Sequence, residues 1–205
     1  MTCRRSRRTG ASLALAAALA VVVAVAWITT GGRMPWAEAD PAQSASALGS
    51  SAATPADGIP SRPGDAFPLT ETYVYDGDTI EARMQEPNDV VTTSSPVRIR
   101  LIGIDTPEGT PSPECWADEA RTHLAELLPE GSTVWAMPDA ETRDDYDRRL
   151  LNLWTDDGRF VNLELVTAGD AEAIRVWPNI AFYDLLAGAQ AEAEASGAGR
   201  WGACG

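Results

Sequence analysis

Over residues 97–104 the chain alternates, with Val97, Ile99, Leu101 and Gly103 on one face and Arg98, Arg100, Ile102 and Ile104 on the other. Both faces turn apolar toward the end of this run, so the pattern predicts a strand covered on both sides. Arg100 then sits where buried sheet gives way to an opening. Two further strands are expected over 69–75 and 79–84, around Asp76-Gly77-Asp78, because Asp-Gly between alternating segments signals a hairpin. A polar loop over 85–96 leads back to the central strand. Residues 132–137 and 150–155 read as two more strands, joined by the charged segment 139–149.

Helical spacing takes over elsewhere. Trp116, Ala120, Leu124, Leu127 and Leu128 form one stripe, with Ser112 as the expected N-cap, Pro113 at the first helical position and Pro129 as the stop. A short helix is expected over 160–168, ended by Gly169, and an extended segment over 171–177. A last helix over 179–195 carries Phe182, Leu185, Leu186, Ala189 and Ala193 on one side, and Trp201 is expected to plug the core behind it. Five strands with three interspersed helices predict an α+β, mainly β domain over 66–205, a small Greek-key barrel of the OB type.

The N-terminal part is different in kind. Arg4, Arg5, Arg7 and Arg8 precede an apolar run over 11–28 interrupted only by Ser12, which reads as an export signal. A helix of that length reaches roughly 27 Å, enough to cross a bilayer. Residues 1–30 are therefore either a cleaved signal peptide or a retained signal anchor, and the rest of the chain is expected outside the cytoplasmic membrane. Residues 31–65, rich in Ala, Ser, Pro and Gly, read as a flexible linker. Of the three cysteines, Cys3 lies ahead of the apolar run. Cys115 and Cys204 are left either as a disulfide, favoured outside the cytoplasm, or as two free thiols.

Charge narrows the function. The chain carries -14 overall, and residues 66–205 hold 10 Arg against 26 Asp and Glu, or -16, with no lysine anywhere. Such a field repels nucleic acid and excludes a broad basic-groove binder. Only a local arginine cluster or a bound cation reverses the sign at one place. The single histidine, His123, falls on the polar side of its helix, which excludes mechanisms built on two histidines.

The chemistry-bearing residues gather in three places. Asp78, Asp105 and a main-chain carbonyl near Thr106 make an oxygen donor set suited to Ca2+ or another hard cation, with water and a substrate phosphate completing the shell. Taken alone, these carboxylates are equally at home as surface residues in turns. Glu108 stands where it could orient or deprotonate a water aimed at phosphorus. Arg100 and Arg148 could clamp a phosphate through bidentate hydrogen bonds, although Arg148 also has Asp144 and Asp145 within reach for an ordinary ion pair. Tyr146 could donate to a phosphate or stack on a base.

Together, DGDT at 76–79, RLIGIDTPE at 100–108 and the Tyr-x-Arg-x-Leu segment at 146–150 resemble the thermonuclease family, the staphylococcal-nuclease-like enzymes, over about 140 residues. Val161-Asn162 at a helix start and the closing glycine-rich segment to Gly202 add to the likeness. The resemblance implies an OB-fold barrel that hydrolyses DNA and RNA with Ca2+, with low sequence specificity, leaving 3′-phosphates. It implies that Asp78, Asp105 and the Thr106 carbonyl hold the metal and that Arg100, Glu108 and Arg148 are catalytic. The family's base-lining tyrosines correspond to Arg175 and Trp177 here, its usual glycine before the second arginine is Asp147, and a frequently basic position is Asp145. Weak, strongly cation-dependent substrate binding by a monomer is therefore expected, on accessible or single-stranded DNA and RNA. The membrane is a partner only through an uncleaved N-terminal segment. The alternatives are a non-catalytic nucleic-acid or Ca2+-binding module on the same scaffold, or an acidic surface protein.

Overall fold

The computed structural model describes residues 58–205; the arginine-rich head, the apolar run and the linker up to residue 57 lie outside the described residues. Five strands close into a barrel in the order β1 (Phe67–Val74), β2 (Thr79–Arg83), β3 (Val97–Leu101), β6 (Arg149–Thr155) and β5 (Thr133–Met137). β5 returns to β1, and every pairing is antiparallel except β3 with β6, where Arg100 lies opposite Leu150. That closure is the OB-type barrel expected from the sequence.

The central strand is shorter than its alternation suggests. β3 ends at Leu101, and Gly103, at φ 76°, turns the chain outward into a two-residue strand β4 (Ile104–Asp105). A left-handed residue here is natural for glycine, which has no Cβ to clash. β4 pairs with β7 (Glu172–Ala173), all that is regular of the extended segment expected over 171–177. This small sheet holds Asp105 at the barrel's rim.

Alternating side chains fill the interior: Leu69, Ile80, Ile99, Leu101, Val134, Ala136, Leu151 and Leu153 are all buried. A bulge between Glu71 and Tyr73 puts two residues between the inward-facing Glu71 and Val74. Glu71 is therefore a carboxylate inside the barrel wall, 1% exposed, with Oε2 lacking a hydrogen-bond partner. Burial, with Glu130 nearby, pushes its pKa up to about 7.

Three helices pack outside. α1 (Ala117–Leu127) starts later than Ser112 and Pro113 suggest. The reason is local: the Glu114 N–H donates back to the Glu108 carbonyl, and Trp116 takes a left-handed φ of 78° just before the first turn. α2 (Val161–Ala168) ends as expected at Gly169, φ 78°. α3 (Tyr183–Ser196) follows Phe182 and buries Leu186 and Ala193. A single turn, α4 (Arg200–Ala203), closes the chain. Trp154 of β6, fully buried, stacks on Phe160 at 4.8 Å and meets Phe182 edge-on at 6.1 Å, cementing the entrances of α2 and α3 to the barrel. Burying each such side chain contributes roughly 1.5–3 kcal/mol. Trp154 thus takes the plugging role expected of Trp201, which lies half-buried under Arg200, outside the core cluster.

Two polar devices fix α1. Cys115 is disulfide-bonded to Cys204, closing a separation of 89 residues. Asp170, buried after α2, accepts from the Trp116 indole (2.7 Å) and pairs with His123 Nδ1 (2.5 Å). His123 is therefore not simply a solvent-facing residue: the hydrogen bond to Asp170 raises its pKa. That pair stabilises fully below the unfolded histidine's pKa and fades as pH rises through the folded value. The body also begins before Ala66, since the Pro60 carbonyl accepts from the Trp154 indole and the Arg62 guanidinium lies 4.1 Å over Trp135. Among the described residues no helix is long and apolar enough to cross a membrane.

Candidate active site

The β1–β2 turn and the segment leaving β4 meet at one rim of the barrel. Asp76 accepts the Asp78 N–H and so shapes the turn, while Asp78 points inward and is 5% exposed. Asp78 Oδ2 accepts the Thr106 N–H at 3.0 Å, and Oδ1 accepts the Thr79 hydroxyl at 3.0 Å. Gly77 is the contact point: a Cβ there would lie 2.8 Å from both Thr106 Cγ2 and Ala120 Cβ, which real contacts do not reach. The glycine of the motif thus lets the turn seat against Thr106 and α1.

Arg100 reaches from β3 into this junction. Its Nη1 lies 2.6 Å from Asp78 Oδ2 and donates to the Ile104 carbonyl at 2.8 Å; its Nη2 donates to Asp105 Oδ1 at 2.5 Å. One guanidinium therefore draws together the two carboxylates that the sequence pairs as cation ligands. Burial pushes the Asp78 pKa up to about 7, helped by Asp76 and opposed by Arg100, the Thr106 N–H and the Thr79 hydroxyl. A single arginine does not fully offset the desolvation of this carboxylate, a deficit that a hard cation is suited to fill. The donors are all oxygen, which fits Ca2+ rather than a soft metal. Among the described residues no cluster of three or more Asp, Glu, His or Cys stands ready to hold a metal. Such a cation would therefore draw the rest of its shell from water and substrate.

The turn beneath the junction is held from inside. Asn162, fully buried at the start of α2, donates to the Ile102 carbonyl at 2.8 Å and accepts the Leu153 N–H at 3.1 Å. This side chain ties the β3–β4 corner to β6. Only the Val161-Asn162 pair in the sequence hinted at it.

Arg100 and Arg148 line one cleft of about 220 Å³, with Asp144, Leu150, Ile174, Val176 and Asn179 on its walls. Asp144 holds Arg148: its Oδ2 accepts Arg148 Nε at 2.7 Å and its Oδ1 accepts the main-chain N–H groups of Arg148 (2.9 Å) and Tyr146 (3.0 Å). Burial works against the ionised Asp144, but these hydrogen bonds hold its pKa below the usual carboxylate value. Binding through Nε leaves the two terminal nitrogens of Arg148 for a ligand. Asp147, which the sequence places as a negative charge beside Arg148, pairs instead with Arg143 and, at 3.6 Å, with the buried Arg149. Its φ of 62° explains why a glycine suits this position.

The other sequence-selected residues lie around this core. Glu108 is exposed on the loop after β4, where its N–H donates to Glu114 Oε2. Tyr146 is 82% exposed, with the Arg148 guanidinium 5.4 Å from its ring. Trp177 is 77% exposed. In the segment after β7 it is Ile174 and Val176 that line the cleft, while the Arg175 guanidinium lies 5.5 Å from the Tyr183 ring. Asp144, which the sequence offers only as one of two ion-pair partners for Arg148, and Asn162, which it offers only as part of a helix start, are the site-shaping residues whose roles the structure supplies.

The barrel and its rim define a class: an OB-type domain with an oxygen-rich turn and two arginines converging on a cleft. Residues 98–203 match the family model described as staphylococcal nuclease homologue, and the chain belongs to that family. It is 33% identical over 138 residues to "Endonuclease YhcR" of Bacillus subtilis (strain 168), covering 62% of this chain and 11% of that protein. It is 37% identical over 98 residues to an "Uncharacterized endonuclease" of Escherichia coli O157:H7, covering 48% of this chain and 55% of that one. The chain thus spans about a tenth and about half of the lengths of these two curated relatives.

Proposed function

We propose that this protein is a Ca2+-dependent endonuclease acting outside the cytoplasmic membrane on accessible or single-stranded DNA and RNA, with low sequence specificity. The observation that carries the reading is the convergence of Arg100 and Arg148 on one cleft, with Arg100 also bound to Asp78 and Asp105 at the junction that holds Thr106. The family, and relatives whose names call them endonucleases, support it.

In this reading Asp78, Asp105 and the Thr106 carbonyl would hold Ca2+, which when bound would supply positive charge against the phosphate and Lewis-acid polarisation of its oxygens. Arg148, oriented by Asp144, donates its terminal N–H groups to the scissile phosphate and favours the extra charge of a five-coordinate transition state. Arg100 makes the second such contact, exchanging its hold on the two carboxylates for the phosphate. Glu108, exposed beside the junction, orients or deprotonates the attacking water. The new P–O bond forms from that water, and the bond to the 5′ oxygen breaks, leaving a 3′-phosphate and a free 5′-hydroxyl. Tyr146 and Trp177, both largely exposed, offer faces for bases.

The arginine-rich head with its apolar run, and the Cys115–Cys204 bond, support export, with the N-terminal segment either removed or kept as an anchor. The test is digestion of single-stranded DNA and RNA in Ca2+ with analysis of the new ends. The expected result is 3′-phosphorylated fragments from both, and an Arg148→Ala variant slower by about a hundredfold or more. Intact substrate after prolonged incubation with folded, Ca2+-loaded protein would overturn the reading.

A further inference from the structure

Resting on the nuclease reading, we propose that the outer face of β1 to β3 beside the cleft is a track for the single strand leaving the cleavage site. Tyr73 is its stacking platform, and Arg98 and Arg121 are its phosphate contacts. Arg98 lies two residues before Arg100 on the same outward face of β3 and is exposed. Its guanidinium stacks over Tyr75 at 4.2 Å, and Tyr75 meets Tyr73 edge-on at 4.9 Å. On the far side Arg121 of α1 lies 5.8 Å from the Tyr73 ring, and its Nε donates to the carbonyls of Val74 and Tyr75. The four side chains form a continuous row leading away from the Asp76–Asp78 turn.

Geometry singles out this row. Among the described residues Arg62, Arg83, Arg98, Arg121 and Arg175 form no ion pair, while Arg100, Arg143, Arg148, Arg149, Arg159 and Arg200 all do. Of those five, Arg98 and Arg121 flank one edge-to-face pair of tyrosines beside the Asp76–Asp78 turn. Stacking on tyrosine leaves guanidinium edges open to phosphate. Tyr73 is 49% exposed, enough to present a face to a base. Glu81 lies amid the row, but its carboxylate accepts from the Thr72 and Tyr75 hydroxyls. It disfavours a phosphate there and leaves the place beside it to a base on Tyr73. The occupant is a single strand because stacking needs an unpaired base.

The test compares the full chain with Tyr73→Ala, Arg98→Gln and Tyr73→Trp on two substrates in Ca2+: a dinucleotide and a strand of about 12 nucleotides. Tyr73→Ala and Arg98→Gln are expected to raise KM for the longer strand about tenfold, with kcat held, and to shrink its advantage over the dinucleotide. Tyr73→Trp is expected to restore it. KM values that move together on both substrates, or not at all, would overturn the track. If the unaltered chain cuts neither substrate, the nuclease reading fails by itself, and the track is then judged by fluorescence anisotropy of the longer strand. Binding lost in Tyr73→Ala supports it, and unchanged binding overturns it.

Discussion

Replacing Glu71 by Gln should make the domain more stable at alkaline pH and slightly less stable in acid. The carboxyl is 1% exposed inside the barrel wall, Oε2 has no partner, and burial with the nearby Glu130 lifts its pKa from 4.5 to about 7. The folded state therefore holds this proton more tightly than the unfolded chain does. Its stability contribution is complete below about pH 4.5 and is lost as pH rises through about 7. The difference corresponds to about 3 kcal/mol once the group is ionised in both states. An amide of the same shape does not titrate, but it brings its own unmatched polar atom, costing about 1 kcal/mol. The net gain expected at about pH 8.5 is roughly 2 kcal/mol, which for a body of this size raises Tm by roughly 4–8 °C. Thermal melts of both proteins across that range, in chelator, measure it. Asp78 titrates in the same window but is common to both proteins, so it cancels in the difference. A Tm difference that does not change with pH, or a variant that is less stable at high pH, would refute the argument that Glu71 is an uncompensated buried charge.

Three other perturbations probe the site and its frame. Asp144→Ala frees the Nε of Arg148 and two main-chain N–H groups, so the rate should fall about a hundredfold alongside a loss of roughly 1–3 kcal/mol in stability; an unaltered rate in the folded variant would mean that Arg148 needs no such anchor. Gly77→Ala drives a methyl into Thr106 and Ala120, so melting should show a loss of roughly 1–3 kcal/mol together with weaker Ca2+ binding by calorimetry. Cys115→Ser with Cys204→Ser reopens the 89-residue separation, and chemical denaturation should register a loss of roughly 4 kcal/mol.

Much of this architecture is legible in the chain because its signals are local. The alternation in β3, the Asp-Gly hairpin and the Gly169 stop each act within a few residues, and the structure has all three. The elements that differ are set by contacts that apolar spacing does not record. α1 starts after Trp116 rather than at Pro113, in a segment where Glu114 bonds back to Glu108 and Cys115 is tied to Cys204. β3 stops short where Gly103 redirects the chain to meet β7, some 70 residues on. The same holds for the site. Asp78, Asp105 and Arg100 stood out because carboxylates and a guanidinium on a turn and a strand end suggest chemistry. Asp144 did not, because in the run 143–149 several acids compete for several arginines and only the folded loop decides the pairing. Likewise a histidine on a polar helix face gives no sign of Asp170, 47 residues away.

The central claim is that an oxygen site at Asp78 and Asp105 works with Glu108 to cut a phosphodiester. It is tested most directly by titrating Ca2+ against chelator during hydrolysis of single-stranded DNA by the full chain. Glu108→Gln is assayed alongside, and Ca2+ binding is measured for both proteins. The account predicts no cutting in chelator and half-saturation at about 0.1–1 mM Ca2+. It predicts that the variant binds Ca2+ equally well but cuts about a hundredfold to ten-thousandfold more slowly. Hydrolysis that persists without the cation, or a variant that cuts at the full rate, would contradict it.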